Sequence, residues 1–272
     1  MNAARTAGRV LAGLILTLVA LSAQAQDRIP SHCIALANGG PERVWQAQEV
    51  AADQVRLRFV NHATYLVEGA GVVAATDYTG FLGAADLVPD VVTMNNAHST
   101  HWTDDPDPRI PHVLKGWANA GGPAVHDLDL GMMRVRNVTT DVRSRFGDDS
   151  RADGNSIFIF EVAGLCVGHL GHLHHMPDDA QFAAIGRLDV VMVPVDGGYT
   201  MDVAMMVEVV KRLRSSVVLP MHWFSGASLE VFLAEMAGIF DVVRLEEPDL
   251  TLSIDTLPAR PTIMVLTPAW VD

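Results

Sequence analysis

An α/β fold with mixed sheets is what this 272-residue chain predicts, on three observations. Short apolar runs parted by turn residues dominate its earlier part, and helical spacing enters only later, between further buried runs. Histidines recur at the ends of three of those runs, where ligand sites in open α/β sheets gather.

The elements follow in order. Arg5 and Arg9 precede the apolar stretch Val10 to Leu21, which ends at Ala23-Gln24-Ala25, a small-x-small pattern before polar Gln26-Asp27. This reads as a secretory signal, residues 1–25, cleaved after Ala25, because the apolar core is shorter than the ~20 residues a spanning helix needs. Residues 26–272 then form one domain, expected to be periplasmic or secreted and free of the membrane once the signal is removed. Val55 to Val60, Thr64 to Val67 and Val72 to Ala75 predict an antiparallel meander, turning at Asn61-His62 and Gly69-Ala70-Gly71. Further strands are expected at Val91 to Met94, Met132 to Val138, Ser156 to Glu161 and Leu165 to Gly168, with a polar, Pro-rich loop from Thr103 to Pro111. Pro177-Asp178-Asp179 opens a helix that Gly186 ends, with the proline in its first turn. Strand Val190 to Val195, helix Met201 to Leu213, strand Val217 to Pro220 and a helix from Leu229 to Phe240 come next. Strands at Val242 to Arg244, Thr251 to Ile254 and Ile263 to Leu266 close the pattern.

Charge narrows the partners. The whole chain carries −13, and because the signal holds two basic and no acidic residues, the remaining 17 basic and 32 acidic residues leave −15. Such a surface disfavours nucleic acid and anionic membranes, and a small-molecule substrate is the expected partner. The two cysteines, Cys33 and Cys166, have the option of pairing in an oxidising compartment, but Cys166 sits inside an apolar strand and reads equally as a small buried hydrophobe. Sequence leaves that pairing open.

The chemistry is carried by imidazole. Four histidines fall within seven residues, His169-Leu-Gly-His172-Leu-His174-His175, directly after an apolar run. His98 and His101 follow Val91 to Met94, and His222 follows Pro220-Met221. Neutral imidazole is the commonest metal ligand, and the convergence of three strand ends points to a metal site. A zinc ion needs about three protein ligands and an open position to activate water at neutral pH, so His98, His101, His169, His172 and His222 suffice as the candidate set. Zinc is the expected cofactor, other divalent transition metals being the alternative.

Taken together, Phe59-Val-Asn-His62-Ala-Thr-Tyr-Leu-Val67, Thr76-Asp77, Asn96-Ala-His98-Ser-Thr100-His101, His169-Leu-Gly171, Val193-Pro-Val-Asp-Gly-Gly-Tyr199-Thr200 and Leu219-Pro-Met-His222 resemble the metallo-β-lactamase superfamily over nearly the whole mature chain. The nearest likeness is to its metal-dependent hydrolase branch related to ascorbate-6-phosphate lactonase. The resemblance implies an αββα sandwich with the metal site at one edge between two sheets. It also exposes departures. The family's His-x-His-x-Asp-His loop has Asn96 for its first histidine and Thr100 for its aspartate, and the aspartate that bridges two metals is here His172. An imidazole does not bridge two cations as a carboxylate does, so a single-metal site is expected. Asn96, Thr100 and His172 become the catalytic candidates: Asn96 to orient substrate or water, Thr100 to position a ligand imidazole. Where the family has a further histidine, Asp141 is the candidate substitute. The resemblance puts His62 and Asp77 behind the ligands, brings His175 closer than His174, and sets Tyr199 on a glycine loop beside substrate. His32, His112 and His126 are expected at the surface. The implied activity is metal-assisted hydrolysis of a small ester, lactone, amide or phosphoester, the alternative being a non-catalytic metal- or ligand-binding protein on the same scaffold.

Overall fold

The structure, a computed structural model, describes residues 33, 50–84, 86–143, 150–224 and 226–271. The signal segment with its cleavage point and His32 lie outside the described residues. Among those residues no helix is long and apolar enough to cross a membrane.

Two sheets face each other. The first contains β1 (Val55–Asn61), β2 (Thr64–Gly69), β3 (Val72–Ala75), β4 (Val91–Met94), β5 (His112–Lys115) and β13 (Asp249–Leu252), in the order β13-β1-β2-β3-β4-β5. The second holds β6 (Asp127–Asp129), β7 (Met133–Arg143), β8 (Ser150–Val162), β9 (Leu165–His169), β10 (Val190–Pro194), β11 (Val217–Met221), β12 (Asp241–Leu245) and β14 (Thr262–Leu266), in the order β12-β14-β11-β10-β9-β8-β7-β6. The expected meander is present, β1, β2 and β3 pairing antiparallel before β4 and β5 join in parallel. In the second sheet β9, β10, β11, β14 and β12 run parallel.

Alternation explains the layers. On β1 the buried Val55, Leu57 and Phe59 face the second sheet, meeting Phe158, Phe160 and Met192 in one apolar cluster. Phe59 stacks on Tyr65 with ring centroids 4.6 Å apart, and side chains of this size each stabilise the fold by ~1.5–3 kcal/mol when fully buried. The other face of β8, β9 and β10 offers Ile157, Ile159, Cys166, Val191 and Val193 to three helices, α1 (Asp179–Ile185), α2 (Val203–Leu213) and α3 (Ala227–Met236). All three helices cover this second sheet. Over the outer face of the first, the covering residues are loop side chains instead, with Tyr78, Leu82 and Ile110 on Val92 and Met94.

Helix boundaries differ slightly from expectation. Asp178 caps α1, accepting from the Gln181 amide while Gln181 returns a bond to the Asp178 amide, so Pro177 precedes the cap instead of lying in the first turn. Asp202 caps α2 by accepting from the Met205 amide, so this helix begins at Val203, two residues after the expected start.

The cysteines are joined. Cys33 and Cys166 form a disulfide with Cα atoms 5.9 Å apart across a sequence separation of 133. Closing so long a loop stabilises the native state by about 5 kcal/mol in the chain-entropy picture. The bond anchors β9, the strand that ends in His169.

Candidate metal centre

The site gathers at the carboxyl ends of β4, β9, β10 and β11, beside the β1–β2 turn. Prolines shape that edge. Pro194 and Pro220 occupy neighbouring strands, and because proline offers no N–H the ladder thins there and the chain departs into the loops carrying Asp196 and His222. His62, Asp77 and His222 all adopt positive φ, at 53°, 43° and 56°. A left-handed backbone costs a non-glycine residue ~1–3 kcal/mol and persists where its surroundings dictate it, which directs attention to these three. The His222 amide donates to the His62 carbonyl at 2.8 Å, locking the two turns together.

Three imidazoles converge. Ligand-type ring nitrogens of His62, His101 and His222 all lie within 4.8 Å of one another. Their protonation follows from their partners. The His101 Nδ1–H donates to Asp77 Oδ2 at 2.7 Å, and the His222 Nδ1–H donates to Asp196 Oδ2 at 2.8 Å. Each carboxylate thereby turns its histidine's Nε2 into a bare lone pair. Those two Nε2 atoms face each other at 3.2 Å. Two lone pairs at that distance repel, and a shared cation resolves the conflict. His62 Nε2 is buried with no hydrogen-bond partner, a further unspent donor atom. These observations fit a metal ion with imidazole ligands.

The carboxylates are fixed in turn. Asp77 accepts the Asn95 amide on its other oxygen at 2.9 Å. Burial raises its carboxyl to about 6, against the opposing pull of His169 and the Asn95 amide. Asp196 accepts the Thr200 hydroxyl at 2.6 Å and the amides of Gly198, Tyr199 and Thr200. Burial opposes its ionisation, yet the bonds from His222 and Thr200 outweigh it and hold the carboxyl well below the usual range. His62 and His101 stay neutral, as ligands must: burial and then His222 lower His62 to about 3, and the same causes hold His101 well below the ordinary value.

His169 does not join the trio. Its Nε2–H donates to the Ala63 carbonyl at 2.7 Å, so Nδ1 is an acceptor, taking the Gly171 amide and the Asn95 side chain, each at 3.1 Å. Fully buried with both nitrogens engaged, it braces the β1–β2 turn that carries His62.

A second group sits alongside. The Arg143 amide donates to His174 Nδ1 at 2.8 Å, so neutral His174 carries its proton on Nε2 and donates to His172 Nδ1 at 2.6 Å. His172 therefore holds its own proton on Nε2. Burial lowers both rings, His174 to about 4, which keeps this neutral relay intact at pH 7. The His172 ring centre lies 4.5 Å from that of His101, close enough to belong to the site. His98 is half-buried with Nδ1 3.0 Å from the Thr100 hydroxyl, and its ring centre is 5.6 Å from that of His172.

The remaining candidates are scattered. Asn96 is buried and its Oδ1 accepts from Arg151 at 3.3 Å. Asp141 is exposed on β7, its Oδ1 accepting the Asp153 amide at 2.9 Å, a bond within the β7–β8 hairpin. His175 Nε2 is buried without a partner. Tyr199 is 71% exposed and packs edge-on against Phe224, whose ring lies 5.3 Å from His222 and 5.4 Å from His62. The expected surface residues His112 and His126 are half-buried, and His126 Nε2 meets the Lys115 carbonyl at 2.8 Å. Sequence reasoning missed Asp196 as a histidine partner and Trp223-Phe224 as a wall. The available signals were a carboxylate directly after a buried strand and two aromatics directly after His222.

Comparison with known proteins agrees with this architecture. The profile of the beta-lactamase superfamily domain matches residues 56–222. A metal-dependent hydrolase from Opitutus terrae is 32% identical over 227 residues, covering 74% of this chain and all of the relative. Another, from Methanosphaerula palustris, is 26% identical over 190 residues, covering 65% of this chain and 87% of its own length. Among solved structures, a proposed zinc-dependent hydrolase of the metallo-β-lactamase superfamily from Thermotoga maritima superposes with a TM-score of 0.56 at 25% identity, covering 78% of this chain and 98% of that one. With the sandwich, the strand-end histidines and these relatives in agreement, the chain belongs to the metallo-β-lactamase superfamily, among its metal-dependent hydrolases.

Proposed function

We propose that the protein is an exported hydrolase that uses one zinc ion, held by His62, His101 and His222, on a small ester, lactone, amide or phosphoester. The observation that carries the reading is the pair of Nε2 lone pairs on His101 and His222, opposed at 3.2 Å with both Nδ1 protons committed to carboxylates. When bound, the ion supplies Lewis acidity and a water ionised near neutral pH. The chain does the rest. Asp77 and Asp196 fix the tautomers of their histidines, His169 braces the turn beneath His62, and the His172 Nε2–H offers a hydrogen-bond donor beside the trio. That N–H favours one ion over two, since a protonated nitrogen is no ligand. The disulfide supports export, because such bonds persist in oxidising compartments.

Elemental analysis of dialysed protein tests the stoichiometry. One equivalent of zinc, lost with activity in chelator, is expected. Two tightly held equivalents would overturn the single-ion reading.

A further inference from the structure

A cavity of about 560 Å³ opens beside the trio, with His62 in its wall. Phe59, Trp223, Phe224 and Trp270 supply an aromatic surface, and Phe81 extends it outward by packing on Trp270 at 5.2 Å. Asn61, Thr64, Thr79, Ser99, Thr100 and Pro268 complete the lining. Among the described residues that line it there is no Lys, Arg, Asp or Glu. Arg58, which reaches the Trp270 carbonyl at 3.1 Å, is paired with Asp249 at 2.9 Å and lies outside the lining.

This bears on charge. Sites for phosphate or carboxylate groups provide a guanidinium fork, an ammonium or a helix N-terminus. A divalent ion on three neutral imidazoles would supply positive charge here, but Asp77 and Asp196, each bonded to one of those imidazoles, cancel it. The chain's net charge of −13 adds a repulsive background. What remains is a cavity of the size that accepts small organic molecules, offering aromatic contact and uncharged polar groups.

Building on the hydrolase reading, we infer that the substrate is an uncharged ester or lactone carrying an aromatic or bulky apolar group, which packs between Trp223, Phe224 and Trp270. Phosphodiesters and carboxylate-bearing β-lactams are disfavoured by the same lining.

The test uses matched probes on the zinc-loaded protein: 4-nitrophenyl esters of 4-methylphenylacetic acid and of 4-carboxyphenylacetic acid, with bis(4-nitrophenyl) phosphate. The neutral ester is expected to have a kcat/KM at least tenfold above its carboxylated twin. Trp270→Ala should raise KM for the neutral ester about fivefold. Equal or better turnover of the carboxylated ester, or a preference for the phosphodiester, would overturn the inference and leave the hydrolase reading standing. Absence of turnover on all probes would instead count against the ester and phosphoester forms of the hydrolase reading. The cavity is then judged by calorimetry on chelated protein, where 4-methylphenylacetamide binding and 4-carboxyphenylacetamide failing to bind supports the inference, and the reverse refutes it.

Discussion

Two groups of histidines share this site and are held in opposite ways. His101 and His222 each lean on a buried carboxylate, which accepts the Nδ1–H hydrogen bond and leaves Nε2 bare. His172 leans on another imidazole, itself set by a backbone amide, and ends with its Nε2 protonated. The residue type is the same. What differs is the partner, and the partner decides whether an imidazole can accept a cation or only donate a hydrogen bond. Counting histidines therefore says little about the number of ions until their partners are known.

The largest expected effect breaks the carboxylate-backed group outright. His101→Ala or His222→Ala should weaken zinc binding by more than ~100-fold, beyond what the loss of an outer partner costs, measured by competition with a chromophoric chelator. Undiminished occupancy would erase the distinction between the groups. Asp77→Asn and Asp196→Asn should each cost ~10–100-fold in affinity, because an amide no longer enforces the tautomer.

Acid should strain both groups in the metal-free protein. His62 at about 3 and His174 at about 4 sit below the ordinary 6.5, so the unfolded chain takes up their protons first. Their contribution is complete above pH 6.5 and is lost as pH falls below it. Asp77, raised to about 6, works the other way, favouring the fold as acid protonates it, but it is one group against several lowered histidines. Urea midpoints in chelator should fall between pH 7 and 5; a flat or rising profile would contradict the neutral relay. Smaller changes sharpen the contrast. His172→Asp should admit a second metal equivalent by restoring a carboxylate, visible by elemental analysis. His174→Ala should alter zinc affinity at the trio by less than about threefold, since it orients only the donor group.

Much of the fold was legible because apolar alternation is local. β3 and β4 lie where their runs of apolar residues begin and end. β5 and β6 escaped notice, being short and, in Asp127-Leu-Asp129, mostly polar. β7 and β8 run past their apolar cores because each supplies the other's backbone partners well into polar sequence. The site was legible as imidazoles at strand ends. Which nitrogens were spent was not, for the bond that occupies His169 comes from Ala63, 106 residues away. His62 reads as a turn residue until the fold sets it 4.1 Å, ring centre to ring centre, from His222.

The Cys33–Cys166 bond makes a closed covalent loop that contains His62, Asp77 and His101, while Asp196 and His222 hang from the tail beyond it. One cut by a protease anywhere in that loop, for instance among the polar residues from Thr103 to Pro111, leaves a single molecule with both halves of the site still tethered. The nick would pass unseen on a non-reducing gel and release two pieces only after a thiol is added.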